Sequence, residues 1–451
     1  MDLHKHQRLT FADADLLALE DRRATTQHAG AVLLFDGPAP SLGELTQRVR
    51  ERLPQLPLHR SIAVAVPLRQ GRPLWARDPA FALEHHVRAS ALPGAAGDAE
   101  LAVLAARALE RRLPRTRPLW ELSLVENVAG GRFALIAKTH AALLGAAGAR
   151  DVLAVALDGG EGPAAQQSDP GPAPAPLELL LETLAHRATS PGEALAQARA
   201  LGARAREELR WRDLDPLGRL AAPPRSRLGA RPGPGRRFAW VDAGLRGARR
   251  AKERLGGTLN DVVLTAVAGA LGRYLHEHGD ATEGLVLRAL VPLAGTSSTG
   301  GLIAAYAPLP VGIADSRRRH ADISRALDGL RASGHARAAA EMLDAEGHAP
   351  LAAIARAARL AAGRHSYNVA IANVPGPQQP RTLLGRELRA FYPALPLGAN
   401  QGLSIAVVSC SGRLCFGLLA DFDAIVDLDH LAALLKESLK ELPRAPAKRG
   451  A

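Results

Sequence analysis

The sequence predicts an α/β protein of two similar domains, each a mixed sheet with flanking helices. Three observations point there. Short apolar runs suited to strands alternate with segments of helical apolar spacing in both halves of the 451-residue chain. From Gly159 to about Pro176 the composition shifts to Gly, Pro, Gln, Ser and Ala, which cannot bury enough apolar area to fold and reads as linker. The length also exceeds the roughly 150 residues of an average domain. The division expected is residues 1–158, a Pro/Gly-rich and helical linker over 159–237, and residues 238–451.

Composition narrows the class. Hydrophobic residues make up 47% of the chain but aromatics only 4%, so the cores must be built mainly from Ala, Leu and Val. Cys410 and Cys415 are too few for a disulfide framework or a metal set and read as reduced core residues; no metal site is expected. The net charge of +12, carried largely by Arg, suits an anionic partner, whether a phosphorylated cofactor, an acidic membrane surface or nucleic acid, or else a solvated face. Nucleic acid is disfavoured, because the basic residues are not interleaved with aromatics and no zinc-finger or basic-zipper spacing occurs. The opening MDLHKHQRLTFADADLL places charges where a secretion signal needs its apolar core, so a cytoplasmic location is expected. Ala289 to Ala314 is long enough to span a bilayer, but Pro292, Pro308, Pro310 and a polar loop break it into two strands.

In chain order, Ala29 to Gly37 reads as a strand and Ser41 to Leu53 as a helix with Ser41 as N-cap. His85 and His86 sit in an extended Val-Arg segment with no metal-ligand partner at suitable spacing, which favours packing. Ala99 to Arg112 reads as a helix, Glu121 to Glu126 as a strand, and Gly130-Gly131 as the turn into the strand that ends at His140. Ala141 to Leu157 has apolar residues at helical spacing. His140 therefore stands at a strand-to-helix junction, where unpaired backbone N–H groups can meet a substrate; it reads as either a hydrogen-bonded structural histidine or a working base.

Leu177 to Leu214 reads as one or two bridging helices and Ala221 to Arg237 as an irregular crossing. In the second domain, Thr258 with Asp261 three residues on resembles a capping box opening a buried helix, which leaves Asn260 in the first turn as a local cap or as a substrate or interdomain contact. Leu285 to Pro292, Leu302 to Ile313, Tyr367 to Asn373, Leu403 to Ser409 and Leu414 to Asp421 read as strands, Ala321 to Ala362 as mostly helical, and Asp429 to Leu442 as the closing helix.

Five segments then stand in order: Thr25-Thr-Gln-His-Ala-Gly30; Trp75, Asp78-Pro79, Phe81 and His86-Val87-Arg88; Pro118-Leu119-Trp120; Asn260-Asp261; and Asn373-Val-Pro-Gly-Pro377. With them the chain resembles the bacterial wax ester synthase/acyl-CoA:diacylglycerol acyltransferase family from about Leu9 to Leu442. The resemblance implies two CoA-dependent-acyltransferase-like domains with a tunnel at their interface. It also implies acyl-CoA as co-substrate with no bound cofactor, and diacylglycerol or a fatty alcohol as acceptor, at a membrane or lipid-droplet surface or in the cytoplasm.

The family's HHxxxDG motif, whose second His is the base, is degenerate here. In one register His140 takes the first His and Ala141 the catalytic one. In the other, His140 is the second His, Thr139 replaces the first, Leu144 the Asp, and Gly145 is kept. Both registers lack the carboxylate, which leaves the His tautomer unfixed. His140 is the implied catalytic residue, with Lys138, Thr139, Gly145, Asn260, Asp261 and Asn373 as substrate-binding or structural positions. A non-catalytic relative that binds acyl-CoA, lipid or an active paralogue is the alternative.

Overall fold

A computed structural model describes residues 7–22, 25–146, 151–158, 169–189, 223–294, 302–330, 350–361, 367–377 and 379–444. Two six-stranded sheets, each carrying helices, organise these residues into two lobes.

The first sheet runs β11-β12-β1-β6-β5-β4. Its members are β1 (His28–Asp36), β4 (Val87–Ala96), β5 (Trp120–Val128), β6 (Arg132–His140), β11 (Thr382–Leu383) and β12 (Arg386–Ala394). The pairs are antiparallel except β4 with β5, which makes the sheet mixed. The β5–β6 turn falls at Gly130-Gly131, both in the left-handed region at φ 81° and 67°, which glycine adopts without steric cost. A small β2–β3 pair (Ser61–Val64, Leu74–Arg77) stands apart.

The second sheet runs β7-β14-β13-β10-β8-β9. It comprises β7 (Arg236–Gly244), β8 (Leu287–Ala294), β9 (Leu302–Leu309), β10 (Val369–Pro375), β13 (Leu403–Cys410) and β14 (Arg413–Asp421). Here β10 runs parallel to both neighbours and the other pairs are antiparallel. The helices are α1 (Phe11–Arg22), α2 (Leu42–Arg52), α3 (Asp98–Glu110), α4 (Ala141–Ala146), α5 (Val152–Ala156), α6 (Pro176–Thr189), α7 (Leu245–Leu255), α8 (Leu259–Glu277), α9 (Ser316–Leu330), α10 (Pro350–Ala361) and α11 (Leu428–Glu441).

Most elements lie where periodicity and caps put them. Ser41 closes a capping box with Glu44, and Thr258 one with Asp261. Helix α8 is buried on nearly every face, as its continuous apolar sequence requires. Cys410 and Cys415 are free and buried. The expected bilayer-length stretch is the hairpin β8–β9, and no single helix among the described residues is long and apolar enough to cross a membrane. Parts of the expected linker and bridging helices (159–168 and 190–222) and of the long helical stretch after Ala321 (331–349) lie outside the described residues.

Two expectations are corrected. The helix read from Ala141 to Leu157 is not continuous. Its first part is described to Ala146, and a second helix, α5, starts after Asp151, whose extended backbone breaks the run and whose carboxylate accepts from the amides of Leu153 and Ala154 as an N-cap. An uninterrupted apolar period conceals such a break, because the cap is a single polar residue.

The C-terminal half also does not keep to its own sheet. β12 pairs antiparallel with β1 at the edge of the first sheet, and α10 packs its buried Leu351, Ile354 and Ala358 into the first lobe's core. The two sheets meet where Gly417 of β14 faces the carbonyl of Pro393 on β12; a Cβ there would come within 1.7 Å of that oxygen. Gly417→Ala is expected to lower stability by at least ~1–3 kcal/mol, the range for overpacking, read as a fall in melting temperature.

Asp151 ties the halves together a second way. Besides capping α5, its second carboxylate oxygen accepts from the amide of Ala352 in the first turn of α10, at 3.2 Å. Burial pushes its pKa up to about 6, against the four backbone N–H groups that favour the charged form. A raised carboxyl pKa means that the folded state binds the proton more tightly. This contribution is fully present below the ordinary value near 3.8 and is lost as pH rises through about 6. Relative to Asp151→Asn, the wild type is therefore expected to gain melting temperature on moving from about pH 7 to about pH 5.

Candidate functional site

His140 is the last residue of β6, and helix α4 begins at the next residue. Its imidazole is fully buried. Nδ1 accepts the amide N–H of Ala142 at 3.1 Å, which places the proton of the neutral ring on Nε2. Nε2 in turn faces Glu20 on α1, 3.5 Å from Oε2, long for a well-formed hydrogen bond. His28, directly opposite His140 across the β1–β6 ladder, brings its own Nε2 to 3.2 Å from the other oxygen of Glu20. The two imidazoles stand edge to face with centroids 5.7 Å apart. Arg115 completes the cluster, donating to Glu20 Oε2 at 2.5 Å and to the carbonyl of Leu17.

The electrostatics of the cluster follow from burial and charge. Burial opposes ionisation of Glu20, but the imidazoles of His140 and His28 outweigh it and hold the carboxyl far below its usual range. Burial also disfavours the imidazolium forms. It draws His28 down to about 4 and depresses His140 despite the adjacent carboxylate. At neutral pH the arrangement is one carboxylate, one guanidinium and two neutral rings, and a neutral ring can accept a proton.

Glu20 corrects the expectation that a motif without its carboxylate leaves the His140 tautomer unfixed. The carboxylate comes from α1, 120 positions away in the chain, and the Ala142 amide selects the tautomer. Neither Glu20 nor Arg115 carried a sequence signal, since α1 alone gives no register for which side chain points inward. His28 lay within the Thr25–Gly30 segment but had no chemical partner in view.

The remaining positions fall into two groups, one in each lobe. Lys138 is buried, and its ammonium donates to the carbonyls of Ala108 and Arg111 at 2.8 Å each, closing the C-terminus of α3, with Glu121 at 3.4 Å. Burial pulls its pKa down to about 8, against the pull of Glu121. Thr139 is fully buried in β6, and its hydroxyl has no hydrogen-bond partner among the described residues. Gly145 lies within α4. In the second lobe, the Asp261 carboxylate accepts from the amide of Thr258, the N-cap of α8, and from the hydroxyl of Ser324. Asn260, half-buried in the first turn of α8, accepts through Oδ1 from Asn373 Nδ2 of β10 at 3.4 Å.

His86 is a packing residue, as its context suggested. Its Nδ1 lies 2.9 Å from the carbonyl oxygen of Trp120, and its ring stacks between Trp120 and Phe81. Among the described residues no group of three His, Cys, Asp or Glu side chains could hold a metal ion. A cavity of about 230 Å³ opens between the lobes, with Val103, Arg107 and Glu110 of α3 on one side and Arg237, Phe238 and Phe422 on the other. Neither His140 nor the Asn260–Asn373 pair lines it.

Comparison with known proteins gives a consistent result. A family model described as wax ester synthase/diacylglycerol acyltransferase catalytic domain matches residues 9–263, and its C-terminal counterpart matches residues 302–443. A probable diacylglycerol O-acyltransferase of Mycobacterium tuberculosis, tgs2, is 31% identical over 96% of this chain and 98% of its own length. A second from that organism, tgs1, is 27% identical over 98% and 96%. Among solved structures, the wax ester synthase/diacylglycerol acyltransferase of Marinobacter aquaeolei VT8 superposes with a TM-score of 0.67 at 25% identity, covering 97% of this chain and 98% of that one. The first condensation domain of the calcium-dependent antibiotic synthetase shares the fold, with a TM-score of 0.56 at 20% identity over 98% of each chain.

Proposed function

The chain belongs to the wax ester synthase/diacylglycerol acyltransferase family, and on that footing we propose that it is an O-acyltransferase moving an acyl group from acyl-CoA to diacylglycerol or a long-chain alcohol. The observation that carries the proposal is the buried Glu20 carboxylate beside His140, which supplies what the degenerate motif lacks. The acceptor hydroxyl attacks the thioester carbon and gives its proton to the imidazole. The tetrahedral adduct then expels the CoA thiolate, which takes that proton back. Because Nε2 faces Glu20, Nδ1 is the accepting atom, and an incoming hydroxyl replaces the Ala142 amide as its donor. Glu20 stabilises the imidazolium that forms, the role a carboxylate plays in triad chemistry. Asn260 and Asn373 orient substrate from the second lobe, where a passage between the lobes admits the two substrates. Lys138 and Thr139 hold the end of β6 in place. The reaction takes place in the cytoplasm, at the periphery of a membrane or lipid droplet.

A second reading is favoured by one observation: the His140 ring is fully enclosed and Ala141 follows it. In that reading the chain binds acyl-CoA, lipid or an active paralogue without turnover. Incubation with radiolabelled long-chain acyl-CoA and either diacylglycerol or a fatty alcohol separates the two. Labelled ester supports the transferase. Acyl-CoA binding with no ester from any alcohol supports the binder.

A further inference from the structure

Helix α7 carries Arg246, Arg249, Arg250, Lys252 and Arg254 on its exposed side, against a single acid, Glu253. Its apolar side, Leu245, Ala248, Ala251 and Leu255, is buried in the second lobe. At 3.6 residues per turn the four arginines fall within an arc of about 140°, with Lys252 on its flank. Among the described residues, Arg246, Arg249, Arg250 and Lys252 form no ion pair or side-chain hydrogen bond. Several arginines elsewhere, Arg48, Arg77, Arg132, Arg273 and Arg389 among them, meet carboxylates, and those unpaired among the described residues, such as Arg22, Arg107 and Arg318, are scattered rather than gathered on one helix face. Lys252 and Arg254, in the last turn, complement the helix dipole, but Arg246, in the first turn, opposes it. Neither an ion pair nor the helix dipole therefore accounts for Arg246, Arg249 and Arg250. Helix α7 leads through Gly256-Gly257 directly into the first turn of α8, where Asn260 meets Asn373.

We propose that the exposed face of α7 is a docking surface for anionic lipid headgroups, which brings the second lobe against the bilayer. The inference rests on the lipid acyltransferase reading above. Cations spread over a convex helix diverge, so they suit an extended negative surface better than one phosphate group held in a pocket. The face has no aromatic side chain on which a base could stack, which disfavours single-stranded nucleic acid. It also has no large exposed apolar residue, so attachment is electrostatic and reversible and weakens with salt.

The test is cosedimentation of the full chain with phosphatidylcholine vesicles, with and without phosphatidylglycerol. The wild type is compared with the triple variant Arg246→Gln, Arg249→Gln, Arg250→Gln, whose melting temperature should match the wild type. The wild type should bind only the anionic vesicles and be released by salt, and the variant should bind them roughly 100-fold more weakly, given about one charge-contact's worth of affinity per arginine near the surface. Equal binding by both proteins, or equal binding to both vesicle types, overturns the proposal. So does tight binding of duplex DNA or an acidic protein through these arginines without vesicle binding. Failure here is distinguishable from failure of the transferase reading. Ester formation from a water-soluble alcohol without vesicle binding removes only the docking surface; vesicle binding without any ester removes only the transferase.

Discussion

His140→Ala is expected to lower the rate of acyl transfer by ~100- to 10,000-fold, the usual contribution of a positioned general base, while acyl-CoA binding changes little. The split follows from what the imidazole does. It receives a proton only as the hydroxyl attacks, so its loss falls on kcat and leaves the hold on the CoA thioester intact. Burial keeps the ring neutral, which suits it for that step near pH 7. The ring occupies space among Glu20, His28 and the start of α4, so the melting temperature of the variant must be measured alongside the rate to separate chemistry from folding.

Glu20→Ala is expected to be the most destabilising single change in the first lobe, costing ~3–5 kcal/mol, the range for breaking a buried ion pair by removing one partner. The substitution leaves Arg115 without its carboxylate and turns the Nε2 atoms of His28 and His140 toward an uncharged gap. Because the Glu20 pKa is depressed, its stabilising contribution is present above the ordinary glutamate range and lost only when pH falls through the lower folded-state value. Glu20→Gln keeps the shape and one acceptor and should cost less stability. It should still slow transfer, because an amide does not stabilise the imidazolium. Denaturant unfolding of the two variants beside the wild type checks the order.

How much of this could be read from the chain depended on whether the governing interaction was local. The N-cap at Ser41, the capping box at Thr258, the Gly130-Gly131 turn and the β13–β14 hairpin are set within a few residues, and the structure has all of them. The break at Asp151 was invisible because its carboxylate serves two helix starts far apart in sequence, one in each half. The placement of β12 beside β1 was missed for a related reason: Arg386–Ala394 has strand chemistry, but nothing local says which sheet it joins. The candidate site shows the same division. His140 could be located from the strand ending beneath it, whereas Glu20 and Arg115 reach it only through the packing of α1 and the segment after α3. Lys138 stands two residues from His140, and its sequence position left a substrate-binding or a structural role open; its ammonium donates to two carbonyls at the end of α3, partners that no local pattern announced.

In the proposed mechanism a carboxylate from α1 makes a working base of the one histidine left in the motif. Single-turnover release of CoA from a long-chain acyl-CoA, with diacylglycerol in excess, tests it most directly when wild type, His140→Ala and Glu20→Gln are run side by side. The predicted result is release by the wild type, slower release by Glu20→Gln and the slowest by His140→Ala. Equal release from all three proteins, or none from the wild type, would contradict the claim.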